Sequence, residues 1–381
     1  MTIILNLSLS HNVFPIELEK LAAAEASTRT TTRAVIHMGP HKTGTTSIQT
    51  AAGEHLKQLH QDGFDAVCAF EKKRNKCTRH FSSCFLPPES AEAMTYKCND
   101  KYLLDGSTIA RNKRNLFVSA EDFSAIGLSG SDGVEKLHGY LSQWDDVTIV
   151  VYYRHFFSYL GSKYNQRMKN KSIKRGWYKT IQDFVDQNND SRYTLQLVKR
   201  LERKFDNIVV VNMHEMSPVE SFFCHTHLSF FKNMCEAVCS EEELQMNSSE
   251  KLHHIHLLAS AVEAGLLSKE KASKLSVQQS VQSKVREIES STGVEMKLKC
   301  LSPQTLHEIW RKSLIYKRTL FPTTSGVANL TSSSEKYGDE LTKDEKHMKS
   351  EFELAAKSSL CMVDVDEALS QADWKIFFKS I

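Results

Sequence analysis

Residues 33–49 read Arg33-Ala34-Val35-Ile36-His37-Met38-Gly39-Pro40-His41-Lys42-Thr43-Gly44-Thr45-Thr46-Ser47-Ile48-Gln49. This order predicts a buried strand, a tight loop and a helix start. Ala34 to Met38 is a short apolar run with β-branched members, as a central parallel strand requires. Gly39-Pro40 ends it, and Gly44 lets the backbone curl. Thr45, Thr46 and Ser47 are placed to cap a helix whose apolar face is Ile48, Ala51, Ala52, His55, Leu56 and Leu59. Unpaired N–H groups at such a helix start, backed by the positive end of its dipole, favour phosphate. Lys42 adds a cation inside the loop.

Further strands are expected at Asp65 to Phe70, Leu116 to Ser119, Val147 to Tyr153 and Ile208 to Met213, with helical patterns between them. Strands alternating with helices predict an α/β fold, a three-layer sandwich around a central parallel sheet. After residue 215 the pattern turns helical, at about 216–235, 249–290 and 303–316, which predicts helical C-terminal additions. Four segments follow from this pass. Residues 1–32 read as a disordered leader, and 33–322 as the main domain, with a polar, cysteine-bearing insertion at about 71–115. Residues 323–347, rich in Ser and Thr and then charged, read as a flexible linker, and 348–381 as a closing helix.

Val147 to Tyr153 is the strongest strand pattern. It ends at Arg154, at the edge where open α/β sheets bind ligands. Ser162 stands eight residues further on and Tyr164 two beyond it. Arginine suits a terminal phosphate because its planar fork donates parallel hydrogen bonds.

The position of the loop lysine separates two chemistries. A nucleoside-triphosphatase loop carries Gly-Lys-Ser/Thr, whose hydroxyl holds magnesium. Here Gly44 is followed by Thr45, and Lys42 precedes the glycine by two residues. The Lys42-Thr43-Gly44-Thr45-Thr46 loop after an apolar strand resembles that of sulfotransferases, P-loop proteins that use 3′-phosphoadenosine-5′-phosphosulfate as donor. The resemblance covers about residues 33–215. It implies that Lys42 meets the 5′-phosphate and the leaving oxygen, and that Thr43, Gly44, Thr45, Thr46 and Ser47 cradle that phosphate. It also implies that Arg154 and Ser162 hold the 3′-phosphate. The family's usual Asn-Pro after the arginine is replaced by His155 and Phe156. Ser158 is a fallback for Ser162.

Sulfuryl transfer resembles phosphoryl transfer in relying on positioning and charge stabilisation. The resemblance implies no metal, because cations and a helix start take its place. A base must accept the acceptor's proton. Glu121, just after the strand ending at Ser119, is the first candidate, with His41 and Asp122 as alternates. A structural role for Glu121, capping the following helix or pairing with Lys42, is the competing reading. The loop looks more like the glycan-modifying and bacterial-type branches than the small-phenol branch, so a carbohydrate, or another small hydroxyl or amine acceptor, is the expected partner. A P-loop kinase or NTPase and a catalytically inactive nucleotide-binding relative are the rival readings.

Composition bounds the rest. The chain has 381 residues, 40% of them hydrophobic, and a net charge of +3. Bulk charge therefore gives no argument for nucleic acid, and any anion site must be local. No run approaches the ~18 apolar residues that span a membrane, so a soluble protein is expected. Nine cysteines include no Cys-x-x-Cys pair, which gives zinc little support. Five Asn-x-Ser/Thr sequons (Asn6, Asn170, Asn189, Asn247, Asn329) suit a secretory lumen such as the Golgi, while reduced thiols and chance sequons suit the cytoplasm. Of His253, His254 and His256, only His253 and His256 share a helix face, a poor basis for a metal. The basic run Arg167, Lys169, Lys171, Lys174 and Arg175 reads as a solvated stretch or as a contact for an anionic glycan.

Overall fold

The computed structural model describes residues 31–40, 42–67, 74–88, 90, 93–94, 96–130, 132–175, 180–188, 190–225, 229–239, 253–292, 297–321, 341–370 and 372–381. Residues 1–30 of the expected leader and most of the expected linker lie outside them, as does His41.

The fold is α/β. Strands β1 (Arg33–Met38), β2 (Phe64–Ala66), β3 (Asn115–Ala120), β4 (Asp146–Tyr153) and β5 (Ile208–Asn212) form one sheet in the order β2-β3-β1-β4-β5. Every neighbouring pair is parallel. β1 lies at the centre. The chain leaves it toward one edge through β2, returns to β3, and then crosses to β4 on the other side. Met38 pairs in register with Ala120 of β3, and His37 with Val150 of β4. The C-terminal ends of β3, β1 and β4 therefore stand side by side, at the point where the direction of winding reverses, which is where such sheets bind ligands.

Burial follows from the strand sequences. Ala34, Val35, Ile36 and Met38 are all fully buried, so β1 is apolar on both faces, as a strand between two helical layers must be. Val35 belongs to the face shared with Ile48, Phe117, Tyr152, Phe222 and Phe231. Ile36 points to the opposite face, because successive side chains alternate.

The chain divides into two compact units. One comprises residues 1–154, 190–246 and 318–327, and the other 155–189, 247–317 and 328–381. The first holds the five-stranded sheet. Among the described residues, its polar insertion includes the helices Arg74–Ser83 and Asp100–Arg111, with a Cys84–Cys98 disulfide between them. Asn99 caps the second by accepting from the Lys101 N–H at 3.0 Å.

The second unit is mainly helical, with a two-stranded antiparallel ribbon of β6 (Leu298–Cys300) and β7 (Cys361–Val363). A Cys300–Cys361 disulfide joins two residues that are already register partners. The expected closing helix is a longer series: a helix at Lys343–Ala356, then β7, then helices Val365–Ser370 and Ala372–Ser380. The first of these begins inside the stretch expected as a linker. Thr342 and Glu345 form a reciprocal capping box at its start, a local signal that the charge run concealed. Among the described residues, no helix is long and apolar enough to cross a membrane.

Candidate functional site

The loop after β1 makes two left-handed corners two residues apart, at Lys42 (φ 71°) and Gly44 (φ 84°). At Gly44 the glycine is required twice. L side chains strain at that φ, and an added Cβ would stand 2.4 Å from Pro218 Cβ. Gly39 is equally confined, because its Cβ would stand 2.6 Å from Thr45 Oγ1 and 2.8 Å from Thr43 Oγ1. Both hydroxyls thus fold inward over the glycine. Thr43 Oγ1 donates to the Pro40 carbonyl at 2.7 Å. Thr45, 3% exposed, has a buried hydroxyl with no hydrogen-bond partner among the described residues. An orphaned buried hydroxyl is costly in a finished core but is a ready contact for an incoming anion.

The helix after the loop, Thr45–Glu54, corrects one expectation. Its cap residue is Gly44, and no side chain caps it. Thr45, Thr46 and Ser47 already lie within the first turn. The left-handed corner that admits only glycine comfortably also occupies the capping position, so the hydroxyl residues are displaced by one. The uncapped first turn leaves its N–H groups for a ligand.

Three side chains from outside the loop hold its shape. Arg154, just past β4, donates through Nη1 to the Lys42 carbonyl at 2.9 Å. Its own carbonyl accepts from the Tyr193 hydroxyl at 2.6 Å. Tyr152, two residues back on β4, donates to the Pro218 carbonyl at 2.8 Å and shares a hydrogen bond with Ser221 at 2.7 Å. Pro218, so fixed, packs on Gly44. Burial pushes the Arg154 guanidinium down to about 10, which still leaves it protonated at neutral pH. Lys42 and Arg154 were expected at separate ends of one nucleotide. In the fold the arginine reaches the lysine's backbone directly.

Glu121 follows Ala120 at the end of β3 and opens a short 3-10 turn, Glu121–Ala125. Arg79 of the insertion forms an ion pair with Glu121, and its Nε lies 3.6 Å from the Asp122 carboxylate. Arg79 Nη1 also donates to the Tyr96 hydroxyl at 2.8 Å. Burial alone would lower the Arg79 guanidinium, but Asp122, Glu121 and Tyr96 together raise it. The insertion is therefore bound to the C-terminal edge of the sheet, just past β3, through one arginine and two adjacent carboxylates.

Under the loop lies His37, fully buried on β1. Its Nδ1 is 2.8 Å from Ser119 Oγ, and its ring meets Tyr152 edge-on at 5.1 Å. Burial lowers it to about 3, so it is neutral at physiological pH and serves as a core residue.

Ser162 lies in the second unit, on the helix Phe156–Arg175, partly exposed. Tyr164 on the same helix is fully buried against Phe184 and His256, so its place in the arginine–serine–tyrosine spacing reflects core packing. His256 is itself 3% exposed, and its Nδ1 accepts from the Val363 N–H at 3.4 Å. That burial makes His256 a core residue of its unit.

Sequence reasoning missed Arg79, Tyr152 and Pro218. The first sat in a segment with no period and the others in an apolar strand and a turn. Only their tertiary contacts mark them. The sheet and its loop define an α/β protein whose central strand runs through a glycine-cornered turn into an uncapped helix. Compared with known proteins, the chain matches no family model and no curated relative.

Proposed function

We propose that the chain is a sulfotransferase that moves a sulfuryl group from 3′-phosphoadenosine-5′-phosphosulfate to a hydroxyl or amine, with a carbohydrate as acceptor. The observation that carries this reading is the loop itself. An uncapped helix start, an orphaned Thr45 hydroxyl and the Lys42 corner converge on one turn, and Arg154 is bonded to that turn at 2.9 Å. Such a turn suits a 5′-phosphate without a magnesium-holding Gly-Lys-Ser/Thr sequence.

In this mechanism Lys42 neutralises the charge that builds on the leaving phosphate, and the first-turn N–H groups and Thr45 hold its oxygens. Arg154 keeps Lys42 in its left-handed corner through one donor, and the planar fork of an arginine suits the 3′-phosphate. Glu121 takes the acceptor's proton. Its ion pair with Arg79 fixes its direction, so the acceptor must draw it from the arginine for transfer to occur.

The test uses radiolabelled donor with a panel of glycans, phenols and peptides, alongside calorimetric titration of 3′,5′-adenosine bisphosphate. Lys42→Ala should abolish transfer, and Arg154→Ala should weaken nucleotide binding more than acceptor binding. Full transfer by Lys42→Ala, or no nucleotide binding by the wild-type chain, overturns the reading.

A further inference from the structure

Three cysteines of the first unit come together. Cys224 lies in the π-helical turn Ser221–His225, and Cys235 and Cys239 lie four residues apart on the helix Lys232–Cys239. Cys224 and Cys235 form a disulfide. The Cys239 sulfur lies 3.3 Å from the Cys224 sulfur and 3.9 Å from the Cys235 sulfur. A disulfide uses two sulfurs. The third, in contact with both, has no part in that bond, and positions i and i+4 on one helix present their side chains to a common point.

We propose that the reduced cluster is a three-thiolate site for a thiophilic d10 cation such as Zn²⁺. Tetrahedral zinc with Zn–S bonds of about 2.3 Å sets its sulfurs about 3.8 Å apart. Cys235 and Cys239 already stand at that spacing, so only Cys224 must withdraw to admit the ion. Thiolate ligands select zinc and Cu⁺ over the hard cations. With three protein ligands, the fourth position opens to solvent on the side of exposed Cys239, which makes the ion exchangeable rather than a permanent staple.

A dithiol or phosphine reductant supplies the two electrons that break the Cys224–Cys235 bond, and the sulfurs gain two protons. Metal uptake then replaces the protons of three thiols with three sulfur–metal bonds. Cys224 is six residues along the chain from Pro218, the residue seated on Gly44, so occupancy and oxidation would each set how firmly that turn is held.

The experiment uses the full chain, reduced with phosphine under anaerobic conditions. Titration with Co²⁺ should raise a thiolate-to-cobalt charge-transfer band, and Zn²⁺ should then bleach it. Cys239→Ser should weaken Zn²⁺ binding by more than about a hundredfold, beyond the loss typical of an outer-shell change, while Cys239→His should restore it. On the wild-type chain, Zn²⁺ should shield Cys224, Cys235 and Cys239 together from alkylation, as read by peptide mass. Alkylation of Cys239 at one rate with and without Zn²⁺, or equal Zn²⁺ affinity in Cys239→Ser, overturns the proposal.

Discussion

Lys42→Gly and Lys42→Ala remove the same amine but meet the backbone in opposite ways. Lys42 sits at φ 71°, where an L residue is strained by about 1–2 kcal/mol and glycine is not. Glycine also gains freedom in the unfolded chain, which costs about 0.4–1 kcal/mol relative to alanine. At an ordinary position only the second effect operates, and alanine is the more stable variant. At this corner the first effect is the larger, so Lys42→Gly should exceed Lys42→Ala by about 0.5–1 kcal/mol. The assay is urea unfolding followed by circular dichroism, comparing midpoints at constant slope. Both variants should lack transfer activity, which separates the backbone effect from the charge effect. If Lys42→Ala proves the more stable, the corner is not left-handed in solution, and the account of how Arg154 holds it fails.

Three other outcomes follow from the same geometry. Gly44→Ala combines an unfavourable φ with overlap on Pro218 and should cost about 2–4 kcal/mol in urea unfolding; a loss below about 0.5 kcal/mol would contradict the packing. His37 and His256, both lowered by burial from 6.5 to about 3, stay neutral when folded, whereas the unfolded chain takes up protons below about pH 6.5. Stability should therefore fall as pH drops through the window from about 6.5 to 3, each histidine accounting for about 2 kcal/mol at pH 5; proton NMR should show two rings that do not titrate between pH 7 and 4, and a midpoint near 6.5 for either would refute this. Replacing Cys300 and Cys361 by serine opens a loop with a sequence separation of 61. By the chain-entropy account that costs about 4 kcal/mol, measurable as a lowered melting temperature relative to the oxidised wild type.

Much of the sheet was legible because its code is local. Apolar runs at 34–38, 116–119 and 147–153 can be satisfied only by burial on two faces, and the polar stretches between them by loops and helices. The left-handed corner at Gly44 was equally local, since glycine is the residue that such a turn admits without strain. Cap placement at Thr45 was misjudged by one residue, because both readings satisfy the same hydroxyl chemistry and only the φ of Gly44 separates them.

What the sequence determined by itself is the central strand, its loop and the glycine and hydroxyl residue types that build that turn. Tertiary structure decided which distant groups hold that loop. Pro218 reaches Gly44 because Tyr152 fixes its carbonyl, Arg79 reaches Glu121 because the insertion folds back onto β3, and Cys239 reaches two other sulfurs because a turn and a helix pack together. These pairings depend on closing long loops. Their cost and reward lie in the packing of the whole unit, and no short window of residues carries a record of it.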